Sequence, residues 1–230
     1  MIIYFLSITY QILKRRRQRL NLIFASFFIC AIIGGALNIT YFLMTDFLMT
    51  NIILILNFLT NFSYLFSAIF ILTVNRIILE STIIFSVKRQ NIYILFYGIV
   101  LFVGMLVLVI LGQIFDPYKP ILGLAINPDG APVWGFIFFI YVILFSAIFI
   151  VVPFIRTSVQ IFKSFETISL EKKWLYYFIG SLGVFSIFYL IITGNLLDNI
   201  NFKNIISIYS LTMLLWVSFM YYGIGFKLKT

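Results

Sequence analysis

The sequence predicts an all-α, polytopic transmembrane helical bundle, and three observations carry that prediction. The 230-residue chain is 63% hydrophobic and 10% charged, with a mean hydropathy of +1.14, whereas soluble domains hold about 45–50% apolar and about 25% charged residues. Its apolar residues gather into runs of about 20 residues, the length of helix that crosses a bilayer core. Its basic residues recur between those runs on alternate sides. A soluble globule of this size has too little interior to hide so much apolar surface. A disordered chain is excluded by the same composition.

Six runs are clear: Leu20–Leu43, Asn51–Val74, Asn91–Gly112, Val133–Ile155, Trp174–Thr193 and Asn204–Phe226. Ahead of them, Met1–Leu13 is apolar but short, about 20 Å as a helix. It gains length if it continues through Lys14–Arg19, whose long side chains reach headgroups. Its charge follows the apolar stretch, the reverse of a signal peptide. We expect seven spans in one domain over residues 1–230, or six if the first segment does not cross.

Charge sets the expected orientation. Lys14, Arg15, Arg16, Arg17 and Arg19, then Arg76, Lys88 and Arg89, then Arg156, Lys163, Lys172 and Lys173, and finally Lys227 and Lys229 fall on one side, 14 of the 16 basic residues; only Lys119 and Lys203 fall on the other. The positive-inside rule places the richer side in the cytoplasm, of a plasma membrane in this reading. The C-terminus is then cytoplasmic, and with seven spans the N-terminus is outside. Asp46, Asp116, Asp129 and Asp198 fall outside; Glu80, Glu166 and Glu171 fall inside. The net charge of +9 is read as affinity for anionic lipid headgroups, not for nucleic acid.

Three connections are informative. Gln113–Pro132 holds four prolines and the turn sequence Asn127-Pro128-Asp129-Gly130; it reads as a small lid or hairpin, or as a plain connector. Arg156–Lys173 spaces Val159, Phe162, Phe165 and Ile168 at near-helical intervals. It reads as a surface helix or an extension of the fifth run. Arg76–Arg89 has the same character, and Pro153 is expected to bend the fifth run.

The chain has no histidine and one cysteine, Cys30. Zinc and haem sites with His ligands and His general bases are excluded, as is an intramolecular disulfide. No Asp, Glu, Lys or Arg lies near the middle of the six clear runs. That disfavours proton relays, voltage sensors, a paired-aspartate protease and a retinal Schiff base in the last run. We expect no enzymatic activity and no cofactor. The intramembrane polar residues are neutral: Asn38 and Tyr41 in the second helix, Asn57 and Asn61 in the third, with Ser63 and Ser67 beyond them. An amide in hydrocarbon needs a hydrogen-bond partner. The four residues Asn38, Tyr41, Asn57 and Asn61 are therefore read as either interhelical bonding or a ligand cluster. Ser207, Ser210 and Ser218 are candidates to face inward from the last run. Trp174, Tyr176, Tyr177, Tyr221 and Tyr222 read as aromatic anchors at headgroup level. Gly34, Gly35, Gly98, Gly104, Gly180 and Gly183 mark close helix contacts.

The opening stretch Leu13-Lys14-Arg15-Arg16-Arg17-Gln18-Arg19-Leu20-Asn21-Leu22-Ile23-Phe24-Ala25 resembles the start of the seven-transmembrane sensor region at the N-terminus of many prokaryotic histidine kinases and related signalling proteins. The shared pattern is a first helix ending in a basic cluster, followed by a short step into an apolar helix. The resemblance implies seven helices, an outside N-terminus and signal input in the outer half of the bundle. With only Lys227–Thr230 after the last run, no output domain is expected, and the resemblance then implies output through a separate cytoplasmic or membrane protein. The function expected is a non-enzymatic, receptor-like sensor. A transporter or channel subunit, and an assembly subunit of a larger membrane complex, are the alternatives.

Overall fold

The computed structural model describes residues 1–15, 18–43, 50–115, 121–127, 132–197 and 199–225. The charges at Arg16, Arg17, Asp46, Asp116, Lys119, Asp129, Asp198, Lys227 and Lys229, and the turn Pro128-Asp129-Gly130, lie outside the described residues. The chain is a helical bundle with six helical segments long and apolar enough to cross a membrane and a shorter apolar helix before them. It is an integral membrane protein by that measure.

The helices are α1 (Ile2–Arg15), α2 (Arg19–Leu43), α3 (Thr50–Ile84) and α4 (Val87–Phe115). A two-stranded hairpin follows, β1 (Leu124–Ile126) and β2 (Pro132–Trp134), and then α5 (Phe136–Ser146). A π-helical turn over Ala147–Val151 joins α5 to α6 (Val152–Ser164); α7 (Ile168–Leu197), α8 (Ile200–Ser210) and α9 (Met213–Gly225) complete the chain. Arg19, Arg76, Lys88, Arg89, Arg156 and Lys173 gather at one end of the bundle, the basic end; the opposite end is the far end.

α3 is the most enclosed span. Its apolar stretch is 56% buried, against 22% for α4, and it packs on α2, α4, α6 and both strands. Its neighbours approach where side chains are missing. A Cβ on Gly34 of α2 would lie 3.1–3.2 Å from the Tyr64 ring and the Thr60 carbonyl of α3. The second tight pair is α7 with α9. There a Cβ on Gly180 would fall 2.5 Å from the Trp216 carbonyl oxygen, and one on Gly223 2.6 Å from that of Lys173. Backbone contact of this kind is how small residues hold membrane helices together.

The structure departs from the sequence expectations at α3 and in the last run, and refines two expectations in the fifth run. α3 continues to Ile84, so Arg76 and Glu80 are helical rather than in a loop. The fifth run extends as α6, ending at Ser164. However, Val159, Phe162 and Ile168 of the anticipated apolar stripe are exposed. The distortion expected at Pro153 appears just before it, as the wide turn Ala147–Val151. Proline offers no N–H and crowds the preceding turn, and a π-helical turn accommodates both defects without breaking the helix. The last run is two helices rather than one. Around Leu211–Thr212 the backbone bonds tighten, with Leu215 N–H donating to the Thr212 carbonyl at 2.9 Å. The Ser210 and Thr212 hydroxyls take the carbonyls of Ser207 and Tyr209, both at 2.7 Å. Hydroxyls that compete for helix carbonyls bend membrane helices in this way.

The hairpin sits over the far end, in antiparallel register Leu124 to Trp134 and Ile126 to Pro132. Leu124 and Trp134 are buried, and Gln113 of α4 donates to the Leu124 carbonyl at 2.8 Å.

Candidate functional site

Two buried polar clusters lie on one helix, α3. In the far half, Asn57 and Asn61 are one turn apart and both buried. The Asn61 Nδ2 donates to the Asn57 carbonyl at 2.8 Å and to its Oδ1 at 3.1 Å. The Tyr41 side chain, from α2, lies within polar reach of the Asn57 side chain. Three of the four anticipated residues therefore meet. Asn38 does not join them and is exposed. Tyr41 lies about two turns beyond Gly34, the residue on which α2 docks, and so keeps to the docked face. Most of the polar bonding in this cluster is internal to α3, and Tyr41 provides the link to α2.

The second cluster, near the basic end, centres on Asn75, which is fully buried. Its Nδ2 donates to Ser158 Oγ at 2.7 Å, to Thr157 Oγ1 at 3.2 Å and, at the limit of bonding distance, to the Phe154 carbonyl at 3.4 Å. All three acceptors are on α6. The Trp174 indole of α7 donates to the Ser158 carbonyl at 2.9 Å, and the Tyr177 hydroxyl to the Ile71 carbonyl of α3 at 3.2 Å. One cluster thus ties α3, α6 and α7. Its remaining acceptor, Asn75 Oδ1, is buried without a hydrogen-bond partner. Beside it the Arg76 guanidinium stacks on Tyr93, 4.5 Å from the ring centroid, and lies 5.9 Å from that of Phe85.

The cluster is hidden in the sequence, where Asn75 sits at the edge of an apolar run and Arg76 reads as a loop residue. The signal was present in the spacing. From Asn57 to Asn75 is about five helical turns, roughly 27 Å, so Asn57, Asn61 and Asn75 share one face of α3. Trp174 and Tyr177, expected at the headgroups, are instead core residues, 5% and 0% exposed. Tyr176 and Tyr222 are exposed and pack edge-on at 5.2 Å. Of the serines expected to face inward, Ser207 is exposed, while Ser218 is bonded to the Tyr4 hydroxyl of α1 at 2.5 Å.

Between the clusters the last residue of α5, just ahead of the π-helical turn, meets α7. Ser146 Oγ shares a hydrogen bond with the Tyr189 hydroxyl at 3.0 Å. They line a cavity of about 20 Å³ with Leu65, Ile150, Phe185 and Phe188, about the room one water needs. Among the described residues no group of three or more Cys, Asp or Glu is placed to hold a metal ion.

The fold and its polar clusters define a class, an integral membrane protein with two buried amide clusters on one helix. No protein family model, curated protein or solved structure matches the chain.

Proposed function

We propose that this protein is a receptor-like sensor in which α3 relays a change in helix packing from the far half of the bundle to the basic end. The observation that carries the proposal is that one uninterrupted helix, Thr50–Ile84, bears both buried amide clusters on the same face. In this reading the basic end is cytoplasmic and an external or lipid-phase cue acts near Asn57 and Asn61. A displacement or rotation of α3 moves Asn75 against α6 and α7. The unfilled Asn75 Oδ1 supports a second arrangement, since a buried unpaired acceptor gains if a donor reaches it. The exposed Val159, Phe162 and Ile168 then offer the surface from which a membrane or cytoplasmic partner takes the signal.

Amide exchange of the protein in lipid nanodiscs tests the relay. With Asn57→Leu, exchange is expected to rise several-fold not only near residue 57 but also in Arg76–Ile84 and Arg156–Ser164. A change confined to the turns around residue 57 contradicts a relay. Solute flux through the purified protein in liposomes would instead make it a transporter or channel.

A further inference from the structure

A groove outside both clusters opens laterally toward lipid, between α2 and α4, and it is floored by α3. Its volume is about 390 Å³, within the range of about 300–1,000 Å³ typical of ligand pockets. Leu22, Phe66, Phe70, Ile94 and Leu95 give it an apolar body. The Ser26 hydroxyl is turned back onto the Leu22 carbonyl at 2.9 Å and leaves that body without a free donor. At the mouth, by contrast, stands Arg19.

Arg19 is held in place. Its Nε donates at 3.1 Å to Oε1 of Gln90, a fully buried amide whose Nε2 is itself bonded to the Phe85 carbonyl at 2.7 Å. Its Nη2 donates to Asn91 Oδ1. Both acceptors are neutral and no carboxylate pairs with Arg19 among the described residues, so the guanidinium is oriented without its charge being cancelled by them. Lys88 and Arg89, exposed on the first turn of α4, add to the same sign. From Arg19 to Ser26 the groove descends about 10 Å along α2, from headgroup level into the hydrocarbon.

From this pairing of a fixed, uncompensated guanidinium with an apolar trough, we infer that the α2–α4 groove is a site for one anionic phospholipid. The phosphate rests on Arg19 and an acyl chain lies along Leu22, Phe66, Phe70 and Leu95. Arginine suits this position because its planar fork bonds phosphate oxygens while its weaker hydration lowers the cost of sitting at a membrane interface. The site stands whether or not α3 relays a signal.

Native mass spectrometry of the purified protein with phosphatidylglycerol and phosphatidylcholine of matched chains tests the site. The wild type is expected to retain one phosphatidylglycerol about fivefold more tightly than phosphatidylcholine, the effect of about one interfacial cation. Arg19→Gln is expected to abolish that preference, and Arg156→Gln, at another basic position, to preserve it. Ser26→Trp leaves Arg19 and Gln90 untouched but fills the groove, and is expected to weaken both lipids; it carries the test if Arg19→Gln fails to fold. Equal retention of the two lipids by the wild type overturns the site. So does equal loss in Arg19→Gln and Arg156→Gln, or a dimer that crosslinks through Leu22→Cys and excludes lipid.

Discussion

The two polar clusters on α3 use the same residue type to different ends. At the far end, Asn61 spends its donor within its own helix, and Tyr41 reaches in from one neighbour. Near the basic end, Asn75 spends its donor on another helix, and Trp174 brings in a third. An amide that bonds locally steadies one helix, whereas one that bonds across helices fixes their relative position. Hydrogen bonds therefore tie α3 to more helices around Asn75 than around Asn57, where α2 is held mainly by close packing at Gly34. Buried polar atoms without a partner occur in both regions, Asn75 Oδ1 near the basic end and Thr60 Oγ1 in the far half.

Substitutions can break this contrast, and the largest effect is expected at Asn75. Asn75→Leu removes the bonds to α6, and should destabilise the protein by about 2 kcal/mol, the upper range for polar links between membrane helices. Unfolding by denaturing detergent in mixed micelles reads this. Trp174→Phe keeps the ring contacts but loses the single bond to the Ser158 carbonyl; about 1 kcal/mol is expected in the same assay. Asn61→Leu removes bonds that are internal to α3, and no more than about 0.6 kcal/mol is expected, the average for hydrogen bonds between membrane helices. Asn38→Leu, on an exposed position, should change stability by less than about 0.5 kcal/mol. A loss at Asn61 as large as that at Asn75 would erase the difference between the two regions.

The membrane class and the approximate spans were legible because hydropathy depends on side chains alone and the runs match the bilayer. The Asn57–Asn61 pair was legible because residues four apart share a helix face. Asn75 was not, since polarity next to Arg76 looks like the end of a span, while helix continuation is decided by packing against α6. The same limit explains Trp174 and Tyr177. An aromatic near a span boundary suits a headgroup or a core equally well, and only the docking of α7 against α3 and α6 decides between them. The break at Leu211–Thr212 depends on hydroxyls turning back to their own carbonyls, a choice of rotamer that composition does not reveal.

The most direct test of coupling along α3 is a double-mutant cycle between its two ends, Asn61→Leu with Asn75→Leu, on unfolding free energy in lipid. Sites this far apart ordinarily add to within about 0.5 kcal/mol. The relay predicts an interaction energy of about 1 kcal/mol, the lower part of the range for coupled sites. Simple additivity would mean that the two clusters act independently and that α3 transmits nothing between them.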